Sequence, residues 1–223
     1  MFVALAAALL LQQESAEELL KKLEKRYAEA TTFKMSMEAR RIGSIAGTPV
    51  DDTWMGKFAS KGENQVYMHV WGSNKTTWVT DGKTMAITVD KKTTRKEHTL
   101  RLGAWARRGT IRAGLYSFIN SLAGTVFKGK AVSFEGLFKF SAISDGGAEK
   151  VDGVDCRIIA CTFVPPEPNG VPLKCRLWID PKNLILMRRE SVRRTTSDVL
   201  TITESFIAPV FDGEIKDDQF KIP

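Results

Sequence analysis

The sequence predicts a mainly β, α+β protein, a curved antiparallel sheet with helices covering its concave face. Three observations carry that expectation. Apolar and polar residues alternate from Phe33 onward, the period of a strand with one buried face. Short apolar stretches are then divided by turn residues, among them Asp81-Gly82 and Asp180-Pro181-Lys182-Asn183, as in a meander of neighbouring hairpins. Only two stretches carry a helical period, one near 15–30 and one between 103 and 123.

The chain opens on Met1 to Leu11, apolar throughout. This run is too short to cross a bilayer and matches the apolar core of a secretory signal. No Lys or Arg precedes it, and Gln12-Gln13-Glu14-Ser15-Ala16 offers only Ala16 as a last residue before cleavage. The competing expectation is a helix packed on the domain. Residues 1–14 are assigned as a signal peptide and 15–223 as one domain, which places the protein in the periplasm. No Cys follows the run, so no lipid-anchored terminus is signalled.

Ser15-Ala16-Glu17-Glu18 reads as a cap with acidic first-turn residues, followed by Leu19, Leu20, Leu23 and Tyr27 at helical spacing. Phe33, Met35, Met37 and Ala39 then share one face of a strand. Gly43 to Asp52 is expected to be a turn. Further strands are expected near 53–60, 65–71, 76–80 and 84–90. Leu115, Phe118, Ile119 and Leu122 form a helical stripe with Trp105 upstream, and Gly103, Gly109 and Gly114 divide it into one or two short helices. Strands resume at Phe134–Ser144, Val154–Val164, Leu173–Ile179, 184–194 and 199–207.

Thirty-three Lys and Arg against 26 Asp and Glu give a formal charge of +7. That balance favours contact with anionic surfaces, either nucleic acid or, transiently, the phospholipid headgroups of a membrane surface. The basic clusters, Lys91-Lys92 with Arg95-Lys96, Arg107-Arg108 with Arg112, and Arg188-Arg189 with Arg193-Arg194, read as solvated faces. Aromatics such as Trp54, Trp71 and Trp78 are interleaved with Met and Val, a mixture of an apolar interior rather than of a base-stacking platform. No nucleic acid partner is expected, and the chain is expected to be a monomer.

Little supports catalysis. His69 and His98 are the only histidines, no HExxH or Gly-x-Ser-x-Gly motif occurs, and Asp51-Asp52 and Asp217-Asp218 read as solvated turn pairs. Cys156, Cys161 and Cys175 match no zinc spacing, so neither metal nor cofactor is expected. If 154–164 and 173–179 form a hairpin, Cys161 and Cys175 stand equally far from its tip, within reach of a cross-strand disulfide. The alternative is three small buried apolar residues.

Met35, Met37, Met55, Met68 and Met85 are spread over successive strands. Methionine adapts to changing apolar shapes and suits ligand surfaces as well as cores. A curved sheet either fills its concave face with its own side chains or leaves a cavity for a ligand.

Three stretches carry a resemblance. Trp78-Val79-Thr80-Asp81-Gly82-Lys83-Thr84-Met85, Leu177-Trp178-Ile179-Asp180-Pro181-Lys182-Asn183-Leu184 and Ile215-Lys216-Asp217-Asp218-Gln219-Phe220-Lys221-Ile222-Pro223 resemble, in this order, motifs of the LolA-like superfamily of lipoprotein carriers and RseB-like sensors. The resemblance implies a half-barrel with covering helices that binds lipid or lipoprotein acyl chains without catalysis, or an envelope sensor or protein-interaction module on the same fold. It implies a lining of Met35, Met37, Trp54, Phe58, Trp78 and Ile87 on the sheet and Phe118, Ile119 and Leu122 on the helices. The lipoprotein carrier has an Arg-Pro-x-x-Phe-x-Trp stretch whose arginine helps hold its lid closed. The equivalent region here, Lys57 to Tyr67, has no Arg-Pro, and Arg40 or Arg41 is the candidate substitute.

Overall fold

The structure, a computed structural model, describes residues 14–98, 102–115, 117–119, 139–164 and 171–223. The apolar run Met1 to Leu11, Leu122, residues 134–138 of the expected strand and the hairpin tip at 165–170 lie outside them.

Helix α1 spans Ala16–Glu29. Its start is fixed by a capping box: Glu18 N donates to Ser15 Oγ at 3.1 Å and Ser15 N donates to Glu18 Oε2 at 2.9 Å, satisfying two of the free amides at a helix start. Leu19, Leu20, Leu23 and Tyr27 form its buried stripe, which packs on the sheet.

Eleven strands follow: β1 (Thr32–Ile45), β2 (Thr48–Lys61), β3 (Gln65–Trp71), β4 (Lys75–Asp81), β5 (Thr84–Val89), β6 (Lys92–Glu97), β7 (Lys139–Val151), β8 (Val154–Val164), β9 (Leu173–Asp180), β10 (Ile185–Arg194) and β11 (Val199–Phe211). Helix α2 (Gly103–Arg112) lies between β6 and β7 in the sequence. All strands pair antiparallel in one sheet ordered β6-β5-β4-β3-β2-β1-β11-β10-β9-β8-β7. The sheet is curved and does not close, and the helices pack on one face. This is the helix-covered half-barrel that the resemblance implies.

Two strand expectations need correction. Residues 43–52 are no turn: β1 and β2 run on to a two-residue hairpin at Ala46 and Gly47, with φ of 50° and 77°. Both central residues of such a turn need positive φ, which matches the twist of the flanking strands. Asp51 and Asp52 therefore sit in β2, paired with Arg40 and Arg41. Lys92–Glu97, read as part of a basic cluster, is the edge strand β6, almost wholly exposed. Charged side chains are a common guard on sheet edges.

The chain ends on a 3-10 turn, Asp217–Phe220, whose buried Phe220 joins Ala59 and Ile215 on the outer face of the sheet. No helix among the described residues is long and apolar enough to cross a membrane.

Candidate functional site

Alternation and register together build the concave floor. Met35 pairs with Phe58, Phe58 with Met68, Met68 with Trp78, and Trp78 with Ile87. Five large apolar side chains thus form one lateral row across β1 to β5. Met37 and Trp54 lie on the same face, and the helix-side residues Phe118 and Ile119 meet it from above. All eight described residues of the expected lining are buried in one cluster.

That cluster is closely packed over Trp78. The Phe118 ring lies 6.4 Å from Trp78 and 5.4 Å from Trp105 between centroids. Gly109 on α2 makes room for it, since a Cβ there would fall on the Phe118 ring. The Trp78 indole Nε1 is buried without a hydrogen-bond partner among the described residues, an arrangement that native interiors seldom leave.

The other half of the floor is polar at its centre, which the sequence reading missed. A second row runs Ile159, Leu177, Arg189, Glu204, Ala39, Trp54. Arg189 and Glu204 are each 1% exposed and lie 3.5 Å apart, Nη1 to Oε2. Arg189 was expected on a solvated face. A register shift between Leu186 and Arg188 reverses the alternation there and turns Arg189 inward, as a bulge does. Its Nη2 donates to the Arg112 carbonyl at 3.0 Å and approaches Cys175 Sγ at 3.5 Å.

Cys161 and Cys175 stand directly opposite each other, as the hairpin geometry predicts. Both are buried free thiols. The neighbouring Cys175 sulfur, with burial, pushes the Cys161 thiol up. The Cys161 sulfur opposite it and the Arg189 guanidinium beside it draw the Cys175 thiol down. Cys156 faces the opposite side of the sheet, beside Trp178 and Ile158.

Arg107 was also read as solvated and is buried. It projects from α2 onto the end of α1, donating to the carbonyls of Tyr27 at 2.6 Å, Ala28 at 3.0 Å and Gly62 at 3.2 Å, and to Ser60 Oγ at 3.1 Å. Burial lowers its guanidinium to about 10. Arg112 pairs with Glu24 of α1, with Arg108 close to the same carboxylate. Arg40 and Arg41, the expected lid arginines, are engaged with Asp51 and Asp52 on the sheet. The fastening of the helices falls to α2 itself. A helical period shows which residues share a face; it does not show that distant carbonyls wait beneath an arginine.

A cleft of about 520 Å³ opens between α1 and β7, with Leu20, Phe140 and Ile143 as its apolar walls and Lys21, Arg112 and Lys139 at its rim beside Glu17 and Glu24. The eight described lining residues are absent from its walls. His69 and His98 lie apart from it, bonded to Thr77 and Thr80 through their ring nitrogens at 2.6 Å each. Among the described residues, no group of three or more His, Cys, Asp or Glu is placed to hold a metal ion.

No family model matches the sequence, and no curated protein matches it. Among solved structures, the chain is similar to LprF from Mycobacterium bovis at 15% identity, covering 89% of this chain and 96% of that one, with a TM-score of 0.46. It is similar to the LolA superfamily protein NE2245 from Nitrosomonas europaea at 11% identity, over 94% of this chain and 99% of that one, with a TM-score of 0.38. MucB in the Pseudomonas aeruginosa MucA/MucB complex is similar at 10% identity, over 93% of this chain and 61% of that one, with a TM-score of 0.43. At these identities the likeness concerns the course of the chain.

Proposed function

We propose that the protein is an exported, non-catalytic carrier that shelters the acyl chain of a lipid or lipoprotein between its sheet and its helices. Residues 1–14 serve as the export signal and 15–223 form the carrier domain. The observation that carries this reading is the row Met35, Phe58, Met68, Trp78, Ile87. It offers an unbroken apolar track about 19 Å long at ordinary strand spacing.

The elements that cover the track pack on it through apolar stripes and are fastened by polar bonds, Arg107 to α1 and the sheet and Arg112 to Glu24. Such bonds break and reform at modest net cost because water replaces them. Burying about 16 methylenes at roughly 0.8 kcal/mol each would gain about 13 kcal/mol before costs, enough to hold the helices apart. The cleft between α1 and β7 has Lys21 and Lys139 at its rim, cations suited to an anionic headgroup. Met35, Met37, Trp54, Phe58, Trp78, Ile87, Phe118, Ile119 and Leu122 form the lining in the loaded state.

Native mass spectrometry after mild purification tests this. A co-purified lipid mass, or uptake of added fatty acid, is expected. A clean apo mass with no uptake overturns the reading.

The packing of Phe118 against Gly109, Trp105 and Trp78 favours a second reading, an envelope sensor or protein-interaction module with a filled interior. It predicts no lipid uptake together with saturable binding of a protein partner from the envelope.

A further inference from the structure

We propose that Cys161 and Cys175 are a reversible modification site, a dithiol that a disulfide oxidant converts to a cross-strand disulfide when the end of α2 lifts from the sheet. The inference is independent of what the interior carries.

Four observations support it. The two residues are directly opposed on adjacent antiparallel strands, where Cβ atoms lie about 4.5–5.5 Å apart and a bridge closes with small backbone adjustment. Both thiols are free and buried in the same interior cluster, so the two sulfurs lie on one face of the sheet. A cation stands beside one of them: Arg189 Nη2 is 3.5 Å from Cys175 Sγ, and Glu204 holds the guanidinium from its other side. The third cysteine, Cys156, lies across the sheet from the pair and takes no part.

The arrangement assigns different roles to the two sulfurs. Arg189, whose Nη2 faces Cys175 Sγ, stabilises negative charge there, which makes Cys175 the attacking thiolate. Cys161 keeps its proton longer and is the resolving thiol. The oxidant is a small-molecule or protein disulfide, the class of reagent that moves disulfides by exchange. The Cys175 thiolate attacks one sulfur of that disulfide and expels a thiolate, which takes up the proton Cys175 released. Cys161 then loses its proton, attacks Cys175 Sγ in the mixed disulfide and expels the second thiol. Two cysteine thiols are oxidised by two electrons, one disulfide is reduced to two thiols, and the two protons end on those thiols.

Both sulfurs are buried, and the same Arg189 that faces Cys175 also binds the carbonyl of Arg112 at the end of α2. An oxidant therefore reaches Cys175 only when that end of the helix releases Arg189. The dithiol reports the position of the helix, and its oxidation removes the ionisable sulfur beside Arg189 and leaves Glu204 as its partner.

The test uses the full chain, reduced and then exposed to oxidised glutathione at mildly alkaline pH. Samples are quenched in acid, alkylated under denaturing conditions and weighed. The expected product has lost two hydrogens, carries a single alkyl group on Cys156, yields a joined peptide pair containing Cys161 and Cys175, and reverts with dithiothreitol. Three alkylated cysteines after long exposure, or an adduct confined to Cys156, overturn the site. In Cys161→Ser the expected product is a stable glutathione adduct on Cys175, and an unmodified Cys175 in that folded variant overturns its role as the attacking sulfur. Urea well below the unfolding transition is expected to speed oxidation, as for a locally opening segment. A rate indifferent to urea overturns the gating by α2.

Discussion

Arg107 donates through Nε to the carbonyl of Tyr27 at 2.6 Å, and this bond ties the second helix to the end of the first. The same guanidinium reaches Ala28, Ser60 and Gly62, so one side chain caps the C-terminal carbonyls of α1 and joins both helices to β2. Those carbonyls would otherwise be unpaired groups at a helix end.

Arg107→Met is expected to cost about 2–4 kcal/mol, because several buried acceptors lose their donor together. Arg107→Lys should recover only part, since an ammonium lacks the planar fork that spans separated acceptors. Urea denaturation measures the loss. Amide exchange should accelerate over 103–112 more than over β1 and β2, and uniform acceleration would count against a role in fastening α2.

Gly109→Ala would raise the stability of an open helix by about 1 kcal/mol. Here the added methyl meets the Phe118 ring, and overpacking is expected to cost about 1–3 kcal/mol instead. Combining it with Phe118→Leu should show favourable coupling in a double-mutant cycle read by thermal melts. Additive losses would mean that the two residues do not share the space.

Asp212 accepts from Thr31 N at 2.8 Å, Thr31 Oγ1 at 3.0 Å and Arg26 Nη1 at 3.2 Å. The Thr31 bonds, helped by Arg26, hold its carboxyl below the ordinary carboxylate range. A carboxyl depressed on folding contributes stability above its unfolded pKa and loses it as pH falls through the folded value. Wild type should therefore weaken more steeply on acidification than Asp212→Asn. Melting temperatures taken from neutral to strongly acidic pH check the sign, and parallel curves would refute it.

Trp78→Phe removes a buried indole N–H that has no partner among the described residues. The relief of that unpaired donor offsets lost packing, and the net change is expected within about 1 kcal/mol of wild type. A cost comparable to a large cavity would show that the indole nitrogen is satisfied in solution.

Much of the architecture was legible locally. Ser15 with Glu18 marked the start of α1, Asp81-Gly82 marked the turn between β4 and β5, and the period-two pattern placed Phe33, Met35, Met37 and Ala39 on the inner face. The hairpin of β8 and β9 could be registered well enough to oppose Cys161 to Cys175. Other features depend on information that no short window holds. Both faces of β6 are wet, so it shows no alternation. The Ala46-Gly47 turn places a non-glycine residue at positive φ, which conceals a two-residue hairpin. One shift in β10 carried Arg189 from water to the interior. Arg107 became a fastening residue only because carbonyls from far earlier in the chain lie beneath it.

The sheet order places β1 against β11 at its centre. Each flank, β2 to β6 on one side and β10 to β7 on the other, is a run of strands paired with their sequence neighbours. Within the sheet, the pairing of the first and last strands knits the flanks together. Each flank can form as its own hairpins emerge from a ribosome or a translocation channel, but the seam stays open until β11 arrives. A nascent chain must therefore keep the edges of β1 and β10 from foreign strands for nearly the whole of its synthesis, which makes the time before closure its period of greatest exposure to aggregation.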